Sequence, residues 1–181
     1  MTVTQRWLQR LTPIAAAPEL DWEQVYAEEL PRIYNFFRYR VGDGMLAEDL
    51  TAATFEKAWR ARQRYHRNRA AFSTWLFTIA RNVGSDYFRR RQPLVSWETL
   101  HSVAGGETPE QTVERRTDFA RVSELLGRLP ARERELVALK YGAGLTNREI
   151  ARLTKLSESN AGTILHRVTT QLRAQWDARE A

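Results

Sequence analysis

Apolar residues recur along most of this chain at helical intervals, and nowhere do they alternate as in a half-buried strand. Trp22, Val25, Tyr26, Leu30, Ile33, Tyr34 and Phe37 share one face of a first helix. Pro31 is expected to kink it, because its ring removes a backbone donor. Val41-Gly42-Asp43-Gly44 reads as the turn that ends it. A second helix is expected from about Met45 to Arg62, with Glu48 and Asp49 in the N-terminal half that favours acids. Arg64 to Ala70 is a basic loop bearing Tyr65 and His66. Ser73 is the expected N-cap of a third helix, and Phe72, Trp75, Leu76, Ile79, Ala80, Val83 and Tyr87 form its apolar stripe. Thr74, Thr78, Arg81, Asn82, Ser85 and Arg89 fall on the other side, with Phe77 and Phe88 on the flank.

Pro93 stops that helix. Residues 92–117 contain Pro93, Ser96, Gly105, Gly106 and Pro109 without a sustained period, a length uncommon inside one compact domain. Beyond it, Val122, Leu125, Leu126 and Leu129 mark a helix ending at Leu129-Pro130. Ala131 to Tyr141 forms another, closed by Gly142 and Gly144. Thr146-Asn147-Arg148-Glu149 is a capping box, and Ser157 caps a last helix with the stripe Ala161, Leu165, Val168 and Leu172. A short capped helix, a three-residue turn and a longer capped helix make a helix-turn-helix pattern. The expected fold is therefore all-α: two small helical domains joined by a flexible linker, the C-terminal one a helix-turn-helix. A loose arm covers 1–20, the first domain 21–92, the linker 93–118 and the second domain 119–181.

Composition narrows the class. The chain has 181 residues, 43% hydrophobic and 28% charged, which suits one or two globular domains. With no cysteine, a disulfide scaffold, a thiol nucleophile and a Cys-ligated zinc site are excluded. No apolar run approaches the roughly 18 residues of a spanning helix, and no export leader is read at the N-terminus, so neither membrane insertion nor export is expected. The net charge of +6 conceals a partition. Residues 19–56 hold nine acids and three arginines, whereas residues 60–91 hold nine arginines and one acid, Asp86. Residues 92–118 are again net acidic and the last stretch net basic. A basic block attracts phosphate backbones and an acidic one repels them, so two kinds of partner are implied. A solvated face of either sign is the plainer alternative.

No catalytic constellation emerges. His66, His101 and His166 lack metal-ligand spacing, Gly42-Asp43-Gly44 is too short for a phosphate loop, and Ser85 after Gly84 has no nucleophile-elbow setting. No enzyme activity, cofactor or small-molecule substrate is expected. On the last helix, Ser159, Thr163, His166, Arg167 and Thr170 project opposite the apolar stripe, as side chains entering a major groove do. An ordinary helical hairpin with a polar face is the alternative. Arginines interleaved with aromatics in the 60–91 block suit single-stranded nucleic acid. Phe72 and Trp75 lie on the apolar stripe and read as core, leaving Tyr65, His66, Phe77 and Phe88 as the freer rings.

Three stretches together resemble the extracytoplasmic-function group of bacterial sigma factors. Ala47-Glu48-Asp49-Leu50-Thr51 through Thr54-Phe55-Glu56-Lys57-Ala58-Trp59-Arg60 is similar to the family's core-polymerase-binding segment. Phe72-Ser73-Thr74-Trp75-Leu76-Phe77, Ile79-Ala80-Arg81-Asn82 and Asp86-Tyr87-Phe88-Arg89-Arg90-Arg91 resemble its −10 segment. Leu129-Pro130, Arg132-Glu133-Arg134-Glu135, Gly144-Leu145-Thr146, Glu149-Ile150-Ala151, Leu156-Ser157-Glu158 and Leu165-His166-Arg167 resemble its −35 domain. The likeness covers about 22–91 and 119–175, with the stretches in family order.

The resemblance implies a cytoplasmic promoter-specificity subunit, held inactive by an anti-sigma protein. Its partners would be core RNA polymerase, through the β′ clamp and β flap, and promoter DNA, duplex and melted. It implies polymerase contacts at Glu48, Asp49, Leu50, Phe55 and Trp59, with a place in the core as the alternative for Leu50 and Trp59. The −10 set would be Tyr65, Arg67, Arg69, Arg81, Asn82, Ser85, Arg89, Arg90 and Arg91, with Asn82 lining the pocket for a flipped base. The −35 set would be Arg148, Ser159, Asn160, Thr163, His166 and Arg167, with Arg148 positioning the backbone. Where the family often reads Gly-Thr-Val-Lys-Ser-Arg, this chain reads Ser159-Asn160-Ala161-Gly162-Thr163-Ile164. Two common basic positions are thus Gly and Ile, and Gly162 costs about 1 kcal/mol of helix propensity. A free-standing helix-turn-helix regulator is the competing reading, but it leaves the acidic helix and the 60–91 block without a role. A helical interaction protein with a basic face leaves the helix-turn-helix unexplained.

Overall fold

A computed structural model describes residues 21–66, 71–91 and 109–178. The expected arm, the Arg67–Ala70 part of the basic loop and residues 92–108 of the linker lie outside them. Every regular element among the described residues is helical.

Helix α1 (Trp22–Val41) starts at Asp21, whose carboxylate accepts from the Glu23 and Gln24 amides, and ends at Gly42 in the left-handed conformation. It runs through Pro31 as one continuous helix. Pro31 is solvent-exposed, so the ring displaces no core packing. Helix α2 (Gly44–Ala61) is capped by Asp43, which accepts from the Leu46 amide at 2.7 Å. A 3₁₀ turn over Arg62–Arg64 leads to the loop. Helix α3 (Phe72–Arg91) begins one residue before the expected Ser73 cap, with the Trp75 amide bonded to the Ala71 carbonyl.

Helix α4 (Pro109–Gly127) begins ten residues before the expected domain boundary. Its first turns lack an apolar stripe, so periodicity is silent there. Pro109 at the first helical position and Glu110 beside it are the start signals that were available. Helix α5 (Ala131–Val137) follows, and Arg134 ties it back by donating to the Gly127 and Leu129 carbonyls at 2.7 and 3.0 Å. The expected single helix to Tyr141 changes character at Ala138. Ala138–Gly142 is a π turn, in which the Ala143 amide reaches the Ala138 carbonyl five residues back at 2.9 Å. Helices α6 (Asn147–Thr154) and α7 (Glu158–Asp177) complete the chain.

The helices form two regions, α1–α3 and α4–α7, which pack on one another. Ile33, Phe36, Phe37, Leu76 and Phe77 from the first region join Leu126, Leu136, Leu139, Leu145, Ile150 and Val168 from the second in one continuous core. Helix α1 is the shared wall: α2 and α3 lie on one side, α5 and the π turn on another. At Gly142 the backbones nearly touch, and a Cβ there would stand 2.7 Å from the Asn35 carbonyl oxygen. Only glycine fits so close an approach. Arg32 fastens the same junction by donating from Nε to the Ala143 carbonyl at 3.0 Å.

Candidate nucleic-acid interface

The helix-turn-helix is set by its caps. The Thr146 amide donates to Glu149 Oε2 at 2.8 Å, and the Glu149 amide donates back to Thr146 Oγ1 at 3.3 Å, as the capping box requires. Burial pushes the Glu149 carboxyl up, but the Thr146 hydrogen bonds, Arg32 and Arg152 outweigh it and hold the group below its ordinary value of 4.5. Lys155, in the left-handed conformation, ends α6, and its amide returns to the Ala151 carbonyl. Ser157 Oγ accepts from the Asn160 amide at 3.1 Å and starts α7. Ile150, Ala151 and Leu153 of α6 and Ala161, Leu165 and Val168 of α7 are buried, which orients the opposite face of α7 to solvent.

On that face, Ser159, Asn160, Thr163, His166 and Arg167 are all exposed, as is Arg148 at the start of α6. The structure therefore brings the six expected −35 residues to the surface of the helix-turn-helix. Two of the cations already hold acids: Arg167 pairs with Glu133, and Arg148 Nε lies 3.5 Å from Glu158 Oε2. The Arg148–Glu158 pair is exposed at both ends, a kind that contributes about 0–1 kcal/mol, whereas Glu133 is largely shielded.

The α3 face is divided. Asn82, Ser85, Arg89 and Arg90 are exposed, with Arg89 bonded to Asp86 at 2.9 Å. Arg67 and Arg69 lie outside the described residues, and so does the side chain of Arg91. Arg81 is turned toward the second region, where its Nε and Nη2 donate to Glu135 at 3.1 and 3.3 Å and its Nη1 donates to the Leu153 carbonyl. Glu135 also lies 3.3 Å from Arg40 Nη1, without hydrogen-bond alignment. Burial lowers the Arg40 pKa, which Glu135 opposes and the neighbouring Arg81 reinforces.

Three of the four rings expected to be freer are packed against neighbours. Phe77, taken as a free ring, is fully buried and meets Phe36 edge-on at 5.8 Å, because α3 packs against α1 as well as α2. Phe88 is half-buried under the Arg40 guanidinium, 5.0 Å from its ring centre. Tyr65 packs on Phe72 and Trp75 at 5.3 and 5.2 Å, so it closes the apolar end of the loop rather than standing alone.

The acidic helix α2 also divides. Glu48, Asp49 and Trp59 are exposed. Leu50 and Phe55, expected on the same contact surface, are instead core residues, 6% and 8% exposed. They follow the α2 stripe with Ala47, Thr51, Thr54 and Ala58, so burial withdraws them from any partner. Trp59 meets Trp22 edge-on at 5.3 Å and carries the Arg62 guanidinium at 4.0 Å. Tyr26 and Met45, 49% and 69% exposed, extend the apolar part of this surface; Tyr26 is expected on the buried stripe of α1 but lies at its open edge, against Phe55 at 4.7 Å. Among the described residues, no group of His, Asp or Glu is arranged to hold a metal ion, and no helix is long and apolar enough to cross a membrane.

Two family models match the chain: sigma-70 region 2 over residues 25–93 and sigma-70 region 4 over residues 119–172. The chain is 31% identical over 155 residues to the RNA polymerase sigma factor CarQ of Myxococcus xanthus, covering 84% of this chain and 87% of that one. It is 31% identical over 169 residues to the ECF RNA polymerase sigma factor BldN of Streptomyces coelicolor, covering 91% of this chain and 64% of BldN. The solved structure of CnrH in complex with the cytosolic domain of CnrY shares the fold, with a TM-score of 0.67 at 24% identity over 87% of this chain and 88% of that one.

Proposed function

Because the chain belongs to the extracytoplasmic-function (ECF) group of sigma-70 RNA polymerase sigma factors, we propose that it is a promoter-specificity subunit that binds core polymerase, recognises −10 and −35 elements and directs transcription initiation. One observation carries the division of labour. Glu48 and Asp49 make the first half of α2 an exposed acidic patch, with Lys57 and Arg60 at its far end, whereas Asn82, Ser85, Arg89 and Arg90 of α3 and Thr163, His166 and Arg167 of α7 expose cations and hydrogen-bonding groups. Phosphate attracts the second set and repels the first.

Glu48, Asp49 and Trp59 are assigned to the β′ clamp, with region 4 approaching the β flap. Asn82, Ser85, Arg89 and Arg90 are assigned to the melted −10 strand, where Asn82 lines a pocket for a flipped base. Arg148 positions the duplex backbone, while Ser159, Asn160, Thr163, His166 and Arg167 face the −35 major groove. Residues 21–92 act as the polymerase and −10 module and 119–181 as the −35 module. The sigma factor RpoE of Bartonella quintana, which shares the fold, was solved in complex with the anti-sigma factor NepR, which supports regulation by an anti-sigma partner here. The protein works as an initiation factor rather than as an enzyme, in the cytoplasm with the polymerase.

Run-off transcription tests this reading, using core polymerase stripped of sigma and sheared genomic DNA of the source organism. Discrete transcripts that depend on the protein are expected, and their upstream sequences give the promoter. Absence of transcripts together with failure to co-elute with core polymerase overturns it.

A further inference from the structure

Helix α7 carries little charge on the face assigned to the −35 groove. From Glu158 to Leu172, Arg167 is its one arginine or lysine. Two hydroxyls near it give their protons to the helix itself: Thr163 and Thr170 donate to the Ser159 and His166 carbonyls at 3.0 and 2.9 Å. Toward solvent they are left as acceptors. Charged donation to a base edge from this stretch therefore falls to a single guanidinium.

That guanidinium is held. Nη2 of Arg167 donates to Oε1 of Glu133, in the first turn of α5, from 34 residues further along the chain. Helix α5 packs against α7, and Leu165 and Val168 beside Arg167 are core residues, so the backbone under the pair is fixed. The Glu133 side chain is 20% exposed against 65% for Arg167, so the acid lies back and the cation reaches out. The bond engages one terminal nitrogen, and the planar group has five N–H donors, so those of Nη1 are left for another acceptor. An unrestrained arginine loses rotamer freedom on binding, which weakens binding about twofold to tenfold. A guanidinium already oriented by an acid avoids much of that loss.

We propose that Glu133 is a positioning residue for −35 recognition: it holds Arg167 in the orientation that presents its open side to a guanine edge in the major groove, and so sets how sharply that base pair is read. The inference rests on the functional reading above for the role of α7. Arginine on guanine O6 and N7 discriminates against other bases by about fivefold to a hundredfold. The negative charge of Glu133 meanwhile opposes phosphate, so its removal should not weaken sequence-independent binding.

The test uses the full chain, alone and bound to core polymerase, to select duplexes from a random-sequence pool. The selected sequences are read for the parent, Glu133→Gln, Arg167→Ala, Arg167→Lys and the Glu133→Gln/Arg167→Ala double variant, with circular dichroism and thermal melting as checks on folding. Affinity for a duplex of scrambled sequence is measured alongside. Glu133→Gln should lower base preference about fivefold to tenfold at the same positions that Arg167→Ala flattens, with scrambled-duplex affinity unchanged or up to about threefold tighter. In the Arg167→Ala background it should change nothing further. Arg167→Lys keeps the charge but lacks the fork, so it should lose preference as Arg167→Ala does and keep scrambled-duplex affinity. Unchanged preference in folded Glu133→Gln overturns the inference, and so does a parallel loss of preference and scrambled-duplex affinity, which would mark a merely structural role. Preference retained by Arg167→Lys, or no sequence selected by the parent, overturns it as well. If the parent directs run-off transcription while Glu133→Gln selects as the parent does, the inference fails and the functional reading stands. Selected sequences that shift as expected but direct no transcription leave the positioning role intact and remove the functional reading.

Discussion

Gly162 of α7 and Asn147 of α6 meet where the two helices of the helix-turn-helix cross: a Cβ on Gly162 would stand 3.3 Å from Asn147 Nδ2. That is tight, but the opposing atom is the free end of a side chain. Gly162→Ala should gain most of the helix propensity that glycine forfeits, a net stabilisation of up to about 1 kcal/mol in urea denaturation. A loss instead would mean that Asn147 is pinned against α7 and that glycine is there to admit it.

Lys155 is the one non-glycine residue at positive φ among the described residues, at 58°. The left-handed conformation costs a side-chain-bearing residue roughly 1–2 kcal/mol. Lys155→Gly should therefore raise stability by about 1 kcal/mol. Lys155→Ala, which keeps the Cβ, should leave it unchanged; equal effects of the two would show that charge rather than backbone conformation matters.

Phe77 and Asn82 lie on the same helix with opposite fates. Phe77→Ala should cost about 3–5 kcal/mol, the range for truncating a buried ring. Asn82→Ala should leave the denaturation midpoint unchanged and reduce run-off transcription. Wild-type transcript levels from the Asn82 variant would remove it from the −10 assignment.

Asp49 and Leu50 are neighbours in α2, one exposed and the other buried. Asp49→Ala should weaken association with core polymerase by about fivefold or more, the effect of losing over 1 kcal/mol at an interface, with an unchanged melting temperature. Leu50→Ala should cost about 2–5 kcal/mol of stability. Retained polymerase binding by the Asp49 variant would sever α2 from that role.

Glu149 gives a pH dependence. Its folded pKa lies below 4.5, so the unfolded chain takes up a proton first as the solution is acidified. Its contribution is present above the unfolded value and is lost as pH falls through the folded one. Glu149→Gln should be less stable than the parent at neutrality, by up to about 1 kcal/mol for a partly exposed cap, and the gap should close as pH falls through the folded value. Glu29 works in the opposite sense. Burial raises its pKa against the pull of Arg32, so its contribution fades as pH rises through the folded value. A gap between parent and Glu149→Gln that is constant with pH would show that the cap acts through geometry alone.

Much of the architecture is legible in local pattern. The stripes of α1, α3 and α7, the Thr146–Glu149 box and the Ser157 cap are relations within one or two helical turns, where side chains three or four residues apart must meet. Exposure of Ser159, Thr163 and His166 follows from the same periodicity. The start of α4 at Pro109 was hidden because its first turns carry no apolar stripe, leaving only a proline and a glutamate to mark them. Leu50 and Phe55 were assigned to a partner by the resemblance of their segment, although their own spacing with Ala47, Thr54 and Ala58 already pointed inward.

Periodicity also says which residues are apolar together, but not which neighbour covers them. Phe77 sits on the flank of its stripe, and it is α1, coming in beside α2, that buries it. Arg81 and Glu135 stand 54 residues apart in the chain, and nothing in either segment announces the other. Local turns, caps and helix faces arise from atoms joined through a few bonds, so composition and spacing determine them. The closure of the two regions, the burial of Arg40 and the occupation of Arg81 depend on long-range packing, which exists only once the helices are assembled.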